Sequence, residues 1–441
     1  MAVWDAIIIG GGPAGAIAGM ALCGRGRSAI ILEKSQFPRF HVGESFVPAT
    51  LDRLRELGLE ADLRKLPHVP KFGAEFHMGH GRSTLRIGFS DGFTPSVETF
   101  NIERSIFDQM LLAQARSRGA EVREGTGVRE IVSLADGAVR VRTDCEEFHG
   151  RYLLDASGTA TVIGRHLGTR KPAEESFLRK VAYTNHFDNV QRAAGPRQGD
   201  PLIAMADDAW FWIIPLNEKR SSVGAVLDAD LARQISREQN VAPDRMLAWC
   251  IQRCPAIQNR MTAATPSATD KNQVMADFSY SCKPFAGEGY FLIGDAATFM
   301  DPIFSTGASI AANSAVAAAE AVHQILAGRV VAGKARQQYI ARIETSTGTL
   351  FQLIRQYYNP AFRDLFMSGT GPLAVHRAVI GVLAGNVFPR PPWKIRWRLP
   401  VFNLFVKIQA RFALVPRQER FSILPAAQPA PPVNLPATPS R

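Results

Sequence analysis

The first forty residues admit few folds. "AIIIG" has the character of a buried strand, "GGPAGAIAGMALCGRG" of a helix opened and closed by glycine, and "SAIILEK" of a second strand. Strand, turn, helix and strand in that order make a βαβ unit, which implies a parallel, doubly wound sheet. Inside the turn, Gly10, Gly12 and Gly15 form G-x-G-x-x-G. The first glycine permits the tight turn, the second lets backbone approach a pyrophosphate, and the third lets helix pack on strand. Pro13 and Ala14 begin the helix, whose free N–H groups and dipole favour phosphate. Glu33 ends the second strand, where an acceptor for ribose hydroxyls belongs.

A chain of 441 residues exceeds one simple core, so two or three subdomains are expected. Residues 120–153 read as β-rich, and 170–282 mix short strands with a helical patch near 229–254. "GYFLIGDAA" then restores a buried-strand pattern, followed by the alanine-rich helix "GASIAANSAVAAAEAVHQILAG". That return makes the first domain discontinuous. The net charge of +11 suits an anionic cofactor, an anionic partner or a membrane surface. Zinc-finger spacing, RNA-binding signatures and lysine/arginine blocks are missing, which excludes nucleic acid as the expected partner. The five scattered cysteines fit reduced thiols. No run reaches the ~18 to 20 apolar residues of a membrane span, and a soluble, cytoplasmic protein is expected.

"YFLIGDAATFMDP" carries a strand ending in Gly294-Asp295-Ala296. It resembles the second FAD motif of the glutathione-reductase-like flavoproteins, in which the aspartate contacts the ribityl chain. Arg104 matches a further flavin-contacting position, and "LLDASG" resembles the strand preceding the break into a substrate domain. The resemblance implies FAD. No second complete G-x-G-x-x-G is present to bind NAD(P)H. The expected fold is α/β: a doubly wound, Rossmann-like FAD-binding domain (1–80, 101–165 and 283–334) with an inserted, largely antiparallel β substrate domain (81–100 and 166–282). A helical C-terminal region (335–424) and a disordered, proline-rich tail (425–441) complete it.

"WFWIIP" places Trp210, Trp212 and Ile214 on one face of a strand that Pro215 would close. W-x-W-x-I-P is the signature of flavin-dependent halogenases, whose tryptophans keep organic substrate away from the flavin. The family's F-x-x-P-x-x-S-x-G is also present, as Phe299, Pro302, Ser305 and Gly307. A turn at a helix N-terminus suits an anion, and by resemblance the Thr306 and Gly307 amides hold the halide, chloride or bromide. "FPRFHVGES" looks like the segment covering the flavin, with Gly43, Glu44 and Ser45 nearest it. Lys71 in "PKFGAEF" resembles the lysine of phenol- and pyrrole-type halogenases. In an apolar channel its charged form is disfavoured, and such an amine can hydrogen-bond hypohalous acid or be halogenated by it.

The resemblance implies an oxidoreductase: FADH2 and O2 give a flavin hydroperoxide, halide attacks it, and hypohalous acid travels to Lys71 and then to an electron-rich phenol or pyrrole. Lys71, Trp210 and Trp212 are the catalytic candidates. The reduced flavin would come from a separate NAD(P)H-dependent flavin reductase, and the substrate is either free or tethered to an acyl or peptidyl carrier protein. Such chemistry belongs to secondary-metabolite (antibiotic) biosynthesis. An FAD-dependent aromatic hydroxylase, and a geranylgeranyl-type isoprenoid reductase of the same superfamily, remain alternatives. The basic, aromatic stretch 391–420 reads as an element packed on the body rather than a membrane-surface helix, with Pro400 interrupting any long helix. His77-x-x-His80 lacks companion ligands and reads as exposed or structural; no metal is expected.

Overall fold

The computed structural model describes residues 2–267 and 272–424; the tail expected to be disordered, 425–441, lies outside them. Among the described residues two eight-stranded sheets dominate, with a three-stranded and a two-stranded sheet beside them, and a layer of helices closes the second large sheet. The core of the first sheet is parallel, in the spatial order Tyr290–Leu292, Glu147–Asp155, Val3–Ile9, Ala29–Leu32, Glu121–Arg123. The strand Val3–Ile9 is central, and the successive residues Ile7 and Ile8, which point to opposite faces, are both fully buried. Helix Pro13–Cys23 packs on helix Gly307–Leu326, joining the two ends of the discontinuous domain. The late strand Tyr290–Leu292 pairs parallel to Glu147–Asp155, which is the return that the sequence pattern predicts.

The second sheet runs Thr265–Pro266, Lys180–Asp188, Arg220–Asp228, Ala209–Pro215, Leu202–Met205, Gly73–Met78, Thr84–Gly88, with Gln273–Ala276 also paired to Lys180–Asp188. It is antiparallel except where Leu202–Met205 meets Gly73–Met78. One boundary differs from the expectation. Gly73–Met78 belongs to this sheet, so the first domain's opening segment does not extend to residue 80. The physical reason is the alternation in "AEFHM": Phe76 and Met78 turn into the second core while Glu75 and His77 take the opposite face. Gly73 allows the crossing, because a Cβ there would lie 2.0 Å from the Ile87 carbonyl oxygen.

Helices Ala332–Tyr357, Pro360–Met367, Val375–Leu383 and Arg398–Arg411 cover the Trp-bearing face of this sheet. Pro400 sits in the first turn of Arg398–Arg411, and the short helix Trp393–Arg396 ends just before it, so the break expected at this proline is present: it has no N–H to give the Arg396 carbonyl. Phe402 and Val406 bury that helix's apolar side in the second core. No helix among the described residues is long and apolar enough to cross a membrane.

Candidate active site

The nucleotide cradle is made of backbone that tolerates no side chain. Gly10 has φ +101°, and a Cβ on it would stand 2.5 Å from the Ala156 carbonyl oxygen. A Cβ on Gly15 would stand 1.9 Å from the Gly10 carbonyl oxygen. Gly12 precedes Pro13, the first residue of the helix, and the Arg39 guanidinium hangs over it. The buried Glu33 carboxylate accepts from the N–H of Gly11 at 2.6 Å and of Ser35 at 2.8 Å, so it lies at the turn. The second motif closes on the first: Gly294, at φ +59°, packs against the Ala14 side chain and donates its N–H to Ser314 Oγ at 2.9 Å. Asp295 lies beyond it, partly exposed. Surrounding protein pushes its carboxyl up to about 6, and the charge of Arg104 opposes that shift. Glycine backbone, an overhanging guanidinium and two carboxylates at these places fit the pyrophosphate, ribose and ribityl groups of a flavin dinucleotide.

Arg104 opens helix Arg104–Ser117 and is buried. Its Nε and Nη2 donate to the two oxygens of Asp108 at 2.7 and 2.9 Å, and its Nη1 donates to the Val42 carbonyl at 3.0 Å. Arg104 therefore tethers the segment around Val42, whose Gly43 adopts φ +100°. Asp108 was absent from the sequence-derived site although it lies one helical turn from Arg104, a spacing that could have revealed the pair. Glu44, buried, meets His186 Nε2 at 2.9 Å on the strand Lys180–Asp188. His186 stands 142 residues from Glu44, and no local signal announces it.

Ser45 and Lys71 meet. Lys71 is 4% exposed, and its Nζ donates to Ser45 Oγ and to the Phe46 carbonyl, each at 2.9 Å. Burial lowers its pKa from 10.5 to about 7, while the charge of Asp200 pulls the other way. The ring facing Nζ is Phe89, 5.5 Å away, rather than either signature tryptophan.

Trp210 and Trp212 do share one face, with ring centroids 5.6 Å apart. Both are buried in the second core with Met300, Ile303 and Phe304 of the F-x-x-P-x-x-S-x-G turn. Pro215 is the last residue of its strand, where no ladder N–H is needed. Trp212 donates to Ser222 Oγ at 3.2 Å and lies flat over Gly224, where a Cβ would come within 2.2 Å of the ring. Trp210 donates its indole N–H to Asp301 Oδ2 at 3.2 Å. Asp301 also accepts from Tyr358 Oη and, at 3.1 Å, from Ile303 N–H. Burial raises the Asp301 carboxyl; its hydrogen bonds and nearby Lys180 oppose the shift. Asp301 thus bonds one motif to the other. It occupies an unspecified position of its motif, so the pattern did not single it out.

After Asp301 the chain makes the turn Pro302–Phe304, Ser305 enters the left-handed region at φ 55°, and Thr306 caps the 20-residue helix Gly307–Leu326. The first N–H groups of that helix have no intrahelical acceptor and stand at its positive end. Gly307 comes near Asp295 and Phe299, whose atoms would lie 3.9 Å from a Cβ there. The halide candidates and the ribityl candidate are thus adjacent. His77 is mostly buried beside Glu75, and no metal-holding cluster exists among the described residues.

These parts define a class. Residues 4–345 match the family model described as an FAD binding domain, and the chain belongs to that family. Within it the chain is a flavin-dependent halogenase. It is 33% identical over 335 residues to the 1H-pyrrole-2-carbonyl-[peptidyl-carrier protein] brominase of Pseudoalteromonas luteoviolacea, covering 74% of this chain and 78% of that one. It is 30% identical to the corresponding chlorinase of Pseudomonas fluorescens, over 87% and 90% of the two chains. The solved flavin-dependent brominase Bmp2 superposes with a TM-score of 0.81 at 30% identity, over 93% of this chain and all of that one.

Proposed function

We propose that the protein brominates or chlorinates a pyrrole or phenol, with Lys71 carrying the halogen to carbon. The observation that carries this reading is the setting of Lys71: buried, titrating near 7, and donating two N–H bonds to Ser45 and Phe46. In the neutral amine those two bonds use both hydrogens and leave the lone pair free. The amine then takes electrophilic halogen from hypohalous acid, forming N–X and releasing water. Electron-rich ring carbon takes the halogen from nitrogen, and the ring proton returns to the amine. Bound FAD, reduced by a separate NAD(P)H-dependent flavin reductase, supplies the oxidation of halide by O2. Gly10, Gly12, Pro13, Ala14, Gly15, Glu33 and Asp295 would hold FAD. Arg104 would fix Gly43, Glu44 and Ser45 over it. The Thr306 and Gly307 amides, with Pro302 shaping their turn, would hold the halide. Trp210 and Trp212, locked by Asp301, Ser222 and Gly224, would form an apolar wall that confines the oxidant.

A carrier-tethered substrate is favoured by a groove of about 430 Å³ between the strand Thr84–Gly88 and the C-terminal helices. Leu85, Ile87, Phe366 and Ile380 line it, and Arg377 and His376 stand in its wall. Ser90 and Asp91 of that wall directly follow Phe89, the ring over Lys71. The relatives acting on pyrrole-carrier proteins and the net charge of +11 support the same reading. The test supplies enzyme, FAD, NADH, flavin reductase, O2 and bromide with free phenols, free pyrroles and a pyrrole-2-carbonyl carrier protein. A bromine isotope doublet by mass spectrometry that requires Lys71 is expected. A Lys71→Ala variant that brominates at the wild-type rate would overturn the lysine's role.

A further inference from the structure

The strand that bears Lys71, Val69–Lys71, pairs antiparallel with Thr99–Asn101, and Lys71 lies directly opposite Thr99. Val69 lies opposite Asn101, which also bridges to Ser45. Residues paired in this way point to the same face, with Cβ atoms about 5 Å apart. Lys71, Thr99, Asn101 and Ser45 therefore share one face of a buried two-stranded ribbon. Thr99 is 1% exposed and Asn101 is fully buried. Thr99 Oγ1 and Asn101 Oδ1 have no hydrogen-bond partner among the described residues.

A buried polar atom left unpaired costs free energy unless a bound species satisfies it. The Asn101 amide cannot turn to relieve this cost, because its Nδ2 donates to the Gly199 carbonyl at 2.7 Å and fixes Oδ1 as an open acceptor. The Thr99 hydroxyl offers one donor and two acceptor sites. A hydroxyl and an amide oxygen beside an amine match a small species with one O–H to donate and one oxygen to accept. Hypohalous acid has that composition.

We infer that Thr99 and Asn101 form, with Lys71, the subsite that holds hypohalous acid for transfer. This rests on the lysine reading above. Asn101 Oδ1 or Thr99 Oγ1 accepts the acid's O–H, and the Thr99 hydroxyl donates to its oxygen. The halogen is left facing the amine. As the N–X bond forms, the O–X bond breaks with its electron pair on oxygen, and the oxygen takes a proton from the amine nitrogen to leave as water. Thr99 is a catalytic residue in this account, while Ser45 positions the amine.

The test compares Thr99→Val, which keeps the shape and removes the hydroxyl, with Thr99→Ser, which restores it. Oxygen consumption, halogenated product and oxidant captured by a diffusible 1,3-diketone trap are measured on the flavin-loaded enzyme at matched flavin occupancy. The expected result for Thr99→Val is wild-type oxygen consumption, at least tenfold less product, and a matching rise in trapped oxidant; Thr99→Ser recovers most of the product. A second measurement needs no flavin: hypobromite is supplied directly to the protein and bromination of Lys71 is mapped by peptide mass. Thr99→Val should lower that yield severalfold. An unchanged ratio of product to oxygen, with Lys71→Ala inactive, removes the subsite and leaves the lysine reading intact. Full activity of Lys71→Ala removes both.

Discussion

The nucleotide cradle and the Lys71 interior solve opposite problems. The cradle works by lacking side chains: Gly10, Gly15 and Gly294 bring backbone close to backbone, and recognition falls to N–H groups and a helix end. The interior works through side chains that burial has altered. Lys71 titrates near 7, and Asp301 is held among Trp210, Tyr358 and its own turn. A cradle of the first kind is a local property of about twenty residues. The second kind exists only where remote segments meet: 45–46, 69–71 and 99–101 around Lys71, and Trp210, Tyr358 and the turn after Asp301 around that carboxylate.

The comparison breaks first if the cradle tolerates a methyl group. Gly15→Ala drives a Cβ into backbone at 1.9 Å, where no side chain can yield. It should abolish retention of FAD, read as loss of the flavin absorbance after gel filtration, with a large drop in Tm. Lys71→Ala should do the reverse, keeping the flavin while halogenation falls by several orders of magnitude.

Lys71 sharpens the contrast through pH as well. Its folded-state pKa lies below its unfolded value, so between about 7 and 10.5 the unfolded chain holds a proton that the native chain does not. Stability therefore rises with pH across that window, and the burial cost is fully present below it. The lowering from 10.5 to about 7 corresponds to on the order of 5 kcal/mol. Lys71→Met should accordingly raise Tm at pH 6 and flatten the dependence above pH 7, measured by calorimetry, while remaining inactive. In the native enzyme the halogenation rate should climb through pH 7 as the amine loses its proton. A rate that falls there would assign the work to the ammonium.

Smaller effects test the wall. Gly224→Ala meets the Trp212 ring at 2.2 Å and must displace it. Such overpacking costs about 1–3 kcal/mol, and the displaced ring should raise the share of oxygen consumed without product. Asp301→Asn keeps the shape but weakens acceptance from Trp210 and Tyr358. A lost charged hydrogen bond of about 1.5–3 kcal/mol should appear as a severalfold rise in apparent KM for bromide, with flavin affinity unchanged. If KM for the aromatic moves instead, Asp301 shapes the substrate side and not the halide turn.

Much of the fold was legible because periodicity and glycine placement are local. The βαβ opening, the return strand at Tyr290 and the long helix from Gly307 follow from patterns within a dozen residues. The edge near residue 73 was misplaced because a short strand's sheet depends on which distant strand it meets, here Leu202–Met205. Within the site, Arg104 and Asp108 were within reach of sequence reasoning at i, i+4. The bonds of Glu44 to His186 and Trp210 to Asp301 were not, because they span 142 and 91 residues.

By itself, the sequence determined where backbone had to be bare and where a helix had to begin, because a Cβ clash and a helix dipole are set by near neighbours. Only the tertiary structure decided that burial lowers the pKa of Lys71, that Asp301 bonds Trp210 to the turn Pro302–Phe304, and that Thr99 and Asn101 share the face of Lys71. Desolvation and hydrogen-bond satisfaction depend on every atom within a few ångströms, and in a folded chain most of those atoms come from far along the sequence.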